Sequence, residues 1–287
     1  MVLVHGFGAN ADHWRHTIPA LASDLRVLAI DLLGFGDSDK PPSRLADEPE
    51  RPRAVRYCFD LWAEQVIDAV RELAPNALGG SLQLVGNSIG GMVALTAARK
   101  LQCQGIPLQQ VLLIDCAQRT LDDKRAALLP WWEQATRPLL KGLVRQRAVL
   151  QPLFALLARP AFIRRVLAVA YPSGAHVDDE LVELLHRPST SPGASESFRG
   201  FVNLFNDHLA PQLLEQLSGA QPAVPVRLLW GAADPWEDPR EAKRWAASYG
   251  CIRELVVLPG LGHCPHDEAP DQVNPILRRW LLGDQRA

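Results

Sequence analysis

The sequence predicts an α/β fold: a mostly parallel sheet flanked by helices, with a helical segment inserted before the sheet is complete. Three observations carry this. Through the first 116 residues, short continuously apolar runs alternate with segments of helical periodicity, the pattern of strands covered on both faces. From Ala117 to Ala223 the alternation stops, and Leu, Ala, Arg and Pro dominate. From Val224 the strand–helix rhythm resumes. The expected division is a core of residues 1–116 and 224–287 with a helical lid at 117–223.

Taken in order, Met1 to Val4 reads as a buried strand that breaks into the loop His5-Gly6-Phe7-Gly8-Ala9, ahead of a helix from Asn10 to Ser23. Arg26 to Ile30 is a second strand. Its carboxyl end runs into the turn-dense segment Asp31 to Ser38, and Lys40 to Arg56, rich in Pro and Arg, reads as an exposed loop. Asp60 is the expected N-cap of a helix to Ala74, in which Trp62, Val66, Ala69, Val70 and Leu73 recur at helical spacing. Leu82, Leu84 and Val85 form the next strand, which passes through Gly86-Asn87-Ser88-Ile89-Gly90 into a helix rich in small residues. Gln110 to Asp115 is another buried strand, ending in an acid.

In the insertion, Pro130, Pro138, Pro152, Pro160 and Pro172 divide the chain into short helices. Afterwards come strand Val224 to Trp230, turn Gly231 to Trp236, a helix at about 239–248, and strand Ile252 to Leu258. The loop Pro259 to His266 and a last helix, Pro270 to Leu282, complete the pattern.

Composition narrows the function. A chain of 287 residues with 47% hydrophobic and 22% charged residues buries a sizeable core and is not disordered overall. A net charge of −2 argues against nucleic acid as a partner. The five cysteines, Cys58, Cys103, Cys116, Cys251 and Cys264, lack CxxC spacing and are expected as free thiols in a reducing compartment. The segment Met1 to Gly6 has neither a basic region nor a long apolar stretch, so no signal peptide is expected there. Ala148 to Ala158 is too short to span a bilayer. A cytoplasmic location is expected, and no signal specifies an oligomeric state.

Gly86-Asn87-Ser88-Ile89-Gly90 has the G-x-S-x-G form of a nucleophile elbow. That chemistry needs a serine on a turn tight enough to lift its hydroxyl above the sheet, with glycines that let strand and helix approach. A hydroxyl is a weak nucleophile, so a base must take its proton and a carboxylate must orient the base. Asp234 and His263 each follow a strand in the last third of the chain and fit those roles, although Asp115 is a rival for the acid. The backbone N–H groups of Phe7 and Ile89 are candidates to hold an oxyanion. Simpler readings exist: a turn serine, an aspartate forming a turn before Pro235, a loop-capping histidine and a plain strand-to-helix loop at Phe7. His266 is expected to support His263 rather than react. His263, Cys264 and His266 lie in one loop without further ligands, so no metal and no cofactor are expected.

These motifs together resemble the α/β-hydrolase-fold serine hydrolases. The resemblance covers nearly the whole chain through His5 to Gly8, Asp31 to Ser38, Gly86 to Gly91, Gly231 to Trp236 and Gly262-His263. More narrowly, Gly86 to Gly91, Trp230 to Glu237 and Gly262 to Glu268 resemble the plant and cyanobacterial pheophytinase and chlorophyll dephytylase group. That resemblance implies hydrolysis of the phytyl ester of a chlorophyll-type pigment, with a general lipid or small-molecule esterase, a C–C bond hydrolase or an inactive binding relative as alternatives. Serine rather than aspartate at the elbow disfavours the related dehalogenases and epoxide hydrolases. One departure is that the sequence begins within the H-G-x-G strand, without the two antiparallel strands usual before it: either the start lies further upstream or the sheet is short, and if Met1 is the true start Arg26 to Ile30 is expected as an edge.

The expected partner is a small apolar ester, since Leu139, Leu140, Leu143, Leu150, Leu153, Phe154, Leu156 and Leu157 make the lid apolar. Between Arg119 and Val169 there are ten Lys/Arg against three Asp/Glu, so a basic lid face is also expected. Such a face suits peripheral contact with an anionic membrane, of thylakoid type if the resemblance holds.

Overall fold

The computed structural model describes residues 1–283. Six strands form one wholly parallel sheet: β1 (Val2–Val4), β2 (Leu28–Ile30), β3 (Gln83–Asn87), β4 (Gln110–Ile114), β5 (Val226–Gly231) and β6 (Ile252–Leu258). Their order is β2-β1-β3-β4-β5-β6, so β2 lies at one edge. Twelve helices accompany them among the described residues: α1 (Thr17–Leu21), α2 (Phe59–Leu73), α3 (Ile89–Cys103), α4 (Trp131–Arg145), α5 (Arg147–Leu157), α6 (Pro160–Ala170), α7 (Asp179–Ser189), α8 (Ala194–Val202), α9 (Ala210–Gly219), α10 (Pro239–Ser248), α11 (Pro265–Glu268) and α12 (Pro270–Leu282).

The apolar runs are continuous because each strand is covered on both faces. Leu84, Val111, Leu113, Leu228 and Trp230 point to one side, into a core shared with α2, α3, α9 and α10. Their neighbours Val85, Leu112, Ile114 and Leu229 point to the other, against Trp14, Leu21 of α1 and Val273, Leu277 and Trp280 of α12. Each such side chain is worth about 1.5–3 kcal/mol of transfer free energy.

Strand register fixes where the functional loops fall. Val4 lies opposite Gly86, Asn87 opposite Ile114, Ile114 opposite Leu229, and Gly231 opposite Leu258. The residues that follow (His5, Ser88, Asp115, Ala232 and Pro259) therefore start a row of loops along one carboxyl edge, where parallel sheets place their ligand crevice.

Several local expectations change. Pro138 and Pro152 do not divide helices but lie within α4 and α5. The helix expected over Asn10 to Ser23 is split into a 3₁₀ turn, Ala11–Trp14, and the short α1, because Asp31 Oδ1 and the Asn10 side chain capture the N–H groups of Ala11 and Asp12. Asp60 is not the cap of α2. The N-cap is Cys58, Asp207 accepts the N–H of Phe59 at 3.0 Å, and Asp60 faces Lys100. The segment 40–56 is not simply an exposed loop: Ser43 and Leu45 are buried. Buried Arg199 on α8 donates to Ser43 Oγ at 3.0 Å and pairs with Glu48, holding this loop under the insertion.

Of the helices in the inserted segment, α6 meets the loop after β6 through the His263 N–H and the Ala170 carbonyl, and α8 meets the loop after β1 through Phe201 stacked on Phe7. In contrast, α9 packs on α3 and sends Ala210, Leu213, Leu214 and Leu217 into the main core. The apolar side chains of α4 to α6 largely face outward, with Trp131 80% and Leu139 69% exposed, whereas Leu150 is buried. The cations of this region are mostly engaged by the protein itself. Arg119 pairs with Asp122, Arg125 with Glu241, Arg137 and Lys141 with Asp123, Arg145 with Asp47, Arg147 with Glu196 and Arg164 with Asp179, while Lys124 donates to the Asp207 carbonyl. Of the ten, Arg159 and Arg165 have no such acceptor among the described residues. No described helix is long and apolar enough to cross a membrane.

Candidate active site

Ser88 stands between β3 and α3 with φ 55 and ψ −121, a backbone conformation that costs a non-glycine residue on the order of 1–3 kcal/mol. The surroundings fix it there. Its N–H donates to the Ile114 carbonyl at 2.9 Å, and its carbonyl accepts from Gly91 at 3.0 Å and Ala117 at 3.1 Å. The following turn needs glycine for space: a Cβ on Gly90 would lie 2.2 Å from the Val4 carbonyl oxygen. That contact brings the start of α3 against the end of β1.

The loop after β1 consequently touches the elbow. A Cβ on Gly6 would lie 3.2 Å from Ser88 Cβ. Neither the Phe7 N–H nor the Ile89 N–H donates to a protein acceptor among the described residues, and Ile89 is the first residue of α3, where helix geometry supplies none. His5 sets the loop's shape. Its Nδ1–H donates to the Gly6 carbonyl at 2.7 Å and its Nε2 accepts the Leu32 N–H at 3.0 Å, which requires the neutral ring. Burial agrees, pushing its pKa down to about 4.

In the loop after β6, His263 Nδ1 donates to Asp234 Oδ2 at 2.8 Å. The Asp234 carboxylate has no solvent exposure, and its Oδ1 accepts the N–H groups of Trp236 (2.9 Å) and Glu237 (3.1 Å). Burial alone would raise its pKa, but the hydrogen bond and charge of His263, with further donors, hold it below the ordinary carboxylate range. Of the expected acid Asp234 and its rival Asp115, the histidine bonds Asp234. Asp115 lies behind it, bonded by the Gly231 N–H at 2.9 Å.

The histidine loop is clamped from three sides. The His263 N–H donates to Ala170 at the end of α6, Glu268 accepts from both Gly262 and Ser173, and Asn87 donates its amide to the His263 carbonyl at 3.1 Å. The Trp236 ring stands edge-on to the imidazole at 4.8 Å. His266 is buried against Trp14 at 4.3 Å and next to His13, and neither of its ring nitrogens has a hydrogen-bond partner among the described residues.

Sequence reasoning found Ser88, Asp234 and His263 but gave no role to His5, Asn87 or Trp236. Asn87 is adjacent to the serine and was visible as part of the elbow; its partner, 176 residues away, was not. An apolar approach to the site is also visible. The Phe7 ring stacks on Phe201 at 4.0 Å and lies 6.1 Å from Phe198, which in turn is 5.2 Å from Phe154 of α5.

A profile of the alpha/beta hydrolase family matches residues 1–276. The chain belongs to the alpha/beta hydrolase family. It is 27% identical to the chloroplastic pheophytinase of Arabidopsis thaliana over 98% of this chain and 60% of that protein. It is 29% identical to the 2-hydroxymuconate semialdehyde hydrolase of Pseudomonas sp. (strain CF600) over 69% of this chain and 56% of that protein. The chain thus spans somewhat over half the length of these relatives. Among solved structures, a thermophilic esterase from Thermogutta terrifontis superposes with a TM-score of 0.70 at 24% identity, covering 98% of this chain and 88% of the esterase, which shows a shared fold.

Proposed function

We propose that this alpha/beta hydrolase is a serine hydrolase that cleaves a carboxylic ester. Ser88 Oγ attacks the carbonyl carbon and its proton passes to Nε2 of His263, which is free to accept it because Nδ1 carries the proton given to Asp234. Asp234 stabilises the imidazolium. The N–H groups of Phe7 and Ile89 hold the oxyanion, each worth on the order of 3 kcal/mol. Collapse of the tetrahedral intermediate expels the alcohol, which takes the proton from His263, and water then hydrolyses the acyl-enzyme by the same steps.

The single observation behind this reading is the 2.8 Å bond between His263 Nδ1 and Asp234, on the carboxyl edge that also holds Ser88 in its left-handed conformation. Labelling with a fluorophosphonate tests it. The wild type is expected to label and to hydrolyse p-nitrophenyl esters, and Ser88→Ala to do neither. An unlabelled wild type would mean a catalytically silent binding relative.

For the substrate, we propose the phytyl ester of a chlorophyll-type pigment. Similarity to the plant pheophytinase supports it, as do the aromatic row from Phe154 to Phe7 and the apolar surface of α4 to α6. We read that surface as meeting the membrane in which such an ester resides, from the cytoplasmic side. Incubation with chlorophyll and pheophytin, followed by chromatography for free phytol, decides this. Intact p-nitrophenyl ester turnover without phytol would exclude it. The similarity to a semialdehyde hydrolase favours C–C bond hydrolysis as the second reading, tested by turnover of a vinylogous diketone.

A further inference from the structure

Asp115 is a buried carboxyl that the ester mechanism leaves unused. It follows β4 with φ 43 and no solvent exposure, and its N–H is tied to the Leu229 carbonyl at 3.0 Å. Its Oδ1 accepts the N–H of Gly231, three residues before Asp234. Its Oδ2 is equally buried, yet no N–H or O–H donor among the described residues reaches it. The turn that Asp115 Oδ1 holds at Gly231 is the one that carries Asp234, whose N–H donates to the Gly231 carbonyl at 3.3 Å, and the Asp234 carboxyl acts on Asp115 as a charge and a hydrogen-bonding neighbour.

Two carboxylates cannot both be ionised in such a place without strong repulsion, so one of them holds a proton. The donors decide which. Asp234 receives three hydrogen bonds, from His263 Nδ1 and two backbone N–H groups, whereas Asp115 receives one. An oxygen with no donor is satisfied when it bears the proton itself and gives it to the neighbouring carboxylate.

We propose that Asp115 is a positioning residue for the serine-hydrolase site: held as a neutral carboxylic acid, it donates its Oδ2–H to the Asp234 carboxylate and fixes that carboxylate beneath His263. The inference rests on the roles given above to Asp234 and His263. The other titratable groups facing Asp115 are Glu237, Cys116 and Cys264. None offers Oδ2 a donor. Burial, then the charge of Asp234, raises the Asp115 carboxyl well above the ordinary range, in keeping with the geometry.

The test pairs two variants with a spectroscopic reading. Asp115→Leu removes the donor and is expected to lower kcat about 10- to 100-fold with little change in KM, by analogy with loss of the outer partner that orients a metal-ligating side chain. Asp115→Asn restores a donor, its amide N–H taking the place of the O–H, and is expected to recover most of that loss. The acid limb of its pH–rate profile should stay where it is in the wild type. If Asp115 were ionised, the same substitution would remove a negative charge from behind His263 and move that limb to lower pH, which overturns the proposal. So would an Asp115→Leu variant with wild-type kcat. Infrared difference spectra of wild type against Asp115→Asn should show a protonated-carboxyl stretch that the variant lacks, and its absence from the wild type is equally fatal. The spectrum is read on resting protein, so it judges the proton on Asp115 even if fluorophosphonate labelling fails and the serine-hydrolase reading falls.

Discussion

Asn87 donates its side-chain amide to the carbonyl of His263 across 3.1 Å, so the residue before the elbow serine holds the loop of the proposed base. The same amide donates to the Ile114 carbonyl at 3.2 Å, and the side chain is almost wholly buried. Asn87→Ala leaves two buried carbonyls without this partner, a loss of about 1–3 kcal/mol. Because one of them carries His263, the expected result is a fall in kcat of about tenfold or more at modest cost in KM. Urea unfolding and steady-state kinetics on one preparation check this. A stability loss with unchanged kcat would show that the amide does not position the histidine.

Burial of neutral histidines sets the acid limit of stability. His5 has its pKa lowered from 6.5 to about 4, and burial also lowers those of His13 and His266. Below pH 6.5 the unfolded chain takes up protons that the folded protein refuses, so the histidines' contribution is complete above that pH and is lost as pH drops toward 4. His5 alone contributes about 3 kcal/mol across that window. Because Glu237 acts oppositely over the same range, urea midpoints are read in Glu237→Gln, where they should fall between pH 7 and 5; a flat profile in that variant would contradict the buried neutral state.

Glu237 works in the opposite direction. Burial raises its carboxyl from 4.5 to about 8, although the Gln118 N–H at 2.7 Å partly offsets this. Between those values the unfolded chain has lost a proton that the folded protein keeps, so this contribution is present below pH 4.5 and is lost as pH rises toward 8. Glu237→Gln should therefore flatten the decline in stability between pH 6.5 and 8. A variant whose decline matches the wild type would assign it to another group.

The pairing of the inserted segment's cations with protein acceptors bears on membrane contact. With Arg137 and Lys141 on Asp123, Arg145 on Asp47 and Arg147 on Glu196, little cationic charge is left to attract anionic lipid. Attachment through exposed Trp131, Trp132 and Leu139 should be apolar. Sedimentation with phosphatidylglycerol liposomes is expected to persist from about 0.05 to about 0.5 M salt and to drop in Trp131→Ser/Trp132→Ser. A steep loss with salt would restore the electrostatic account.

Gly90 offers a local test of the elbow. Its missing Cβ leaves room for the Val4 carbonyl oxygen, which would otherwise sit 2.2 Å away, and backbone cannot yield as a side-chain tip can. Gly90→Ala should abolish fluorophosphonate labelling or the folded state. Gly142, in α4 with nothing near its Cβ direction, should accept alanine with a small gain in helix stability. Labelling and thermal unfolding of both variants check the contrast.

The sequence by itself determined the parallel sheet, the elbow at Ser88, and the loops that bring Asp234 and His263 to the same edge. Apolar strand periodicity and glycine spacing are local consequences of backbone geometry, legible without tertiary contacts. Whatever depended on two distant segments meeting was decided by the tertiary structure alone. Asp207 accepts the first N–H of α2 in place of Asp60, α9 belongs to the main core, and cations of the inserted segment pair with acids elsewhere on the protein. The choice of Asp234 over Asp115 as the partner of His263 is of the same kind, because both end apolar strands. A carboxyl's role follows from its burial and from the donors around it, and those donors, Gly231, Trp236, Glu237 and His263, are assembled only when β4, β5 and β6 align.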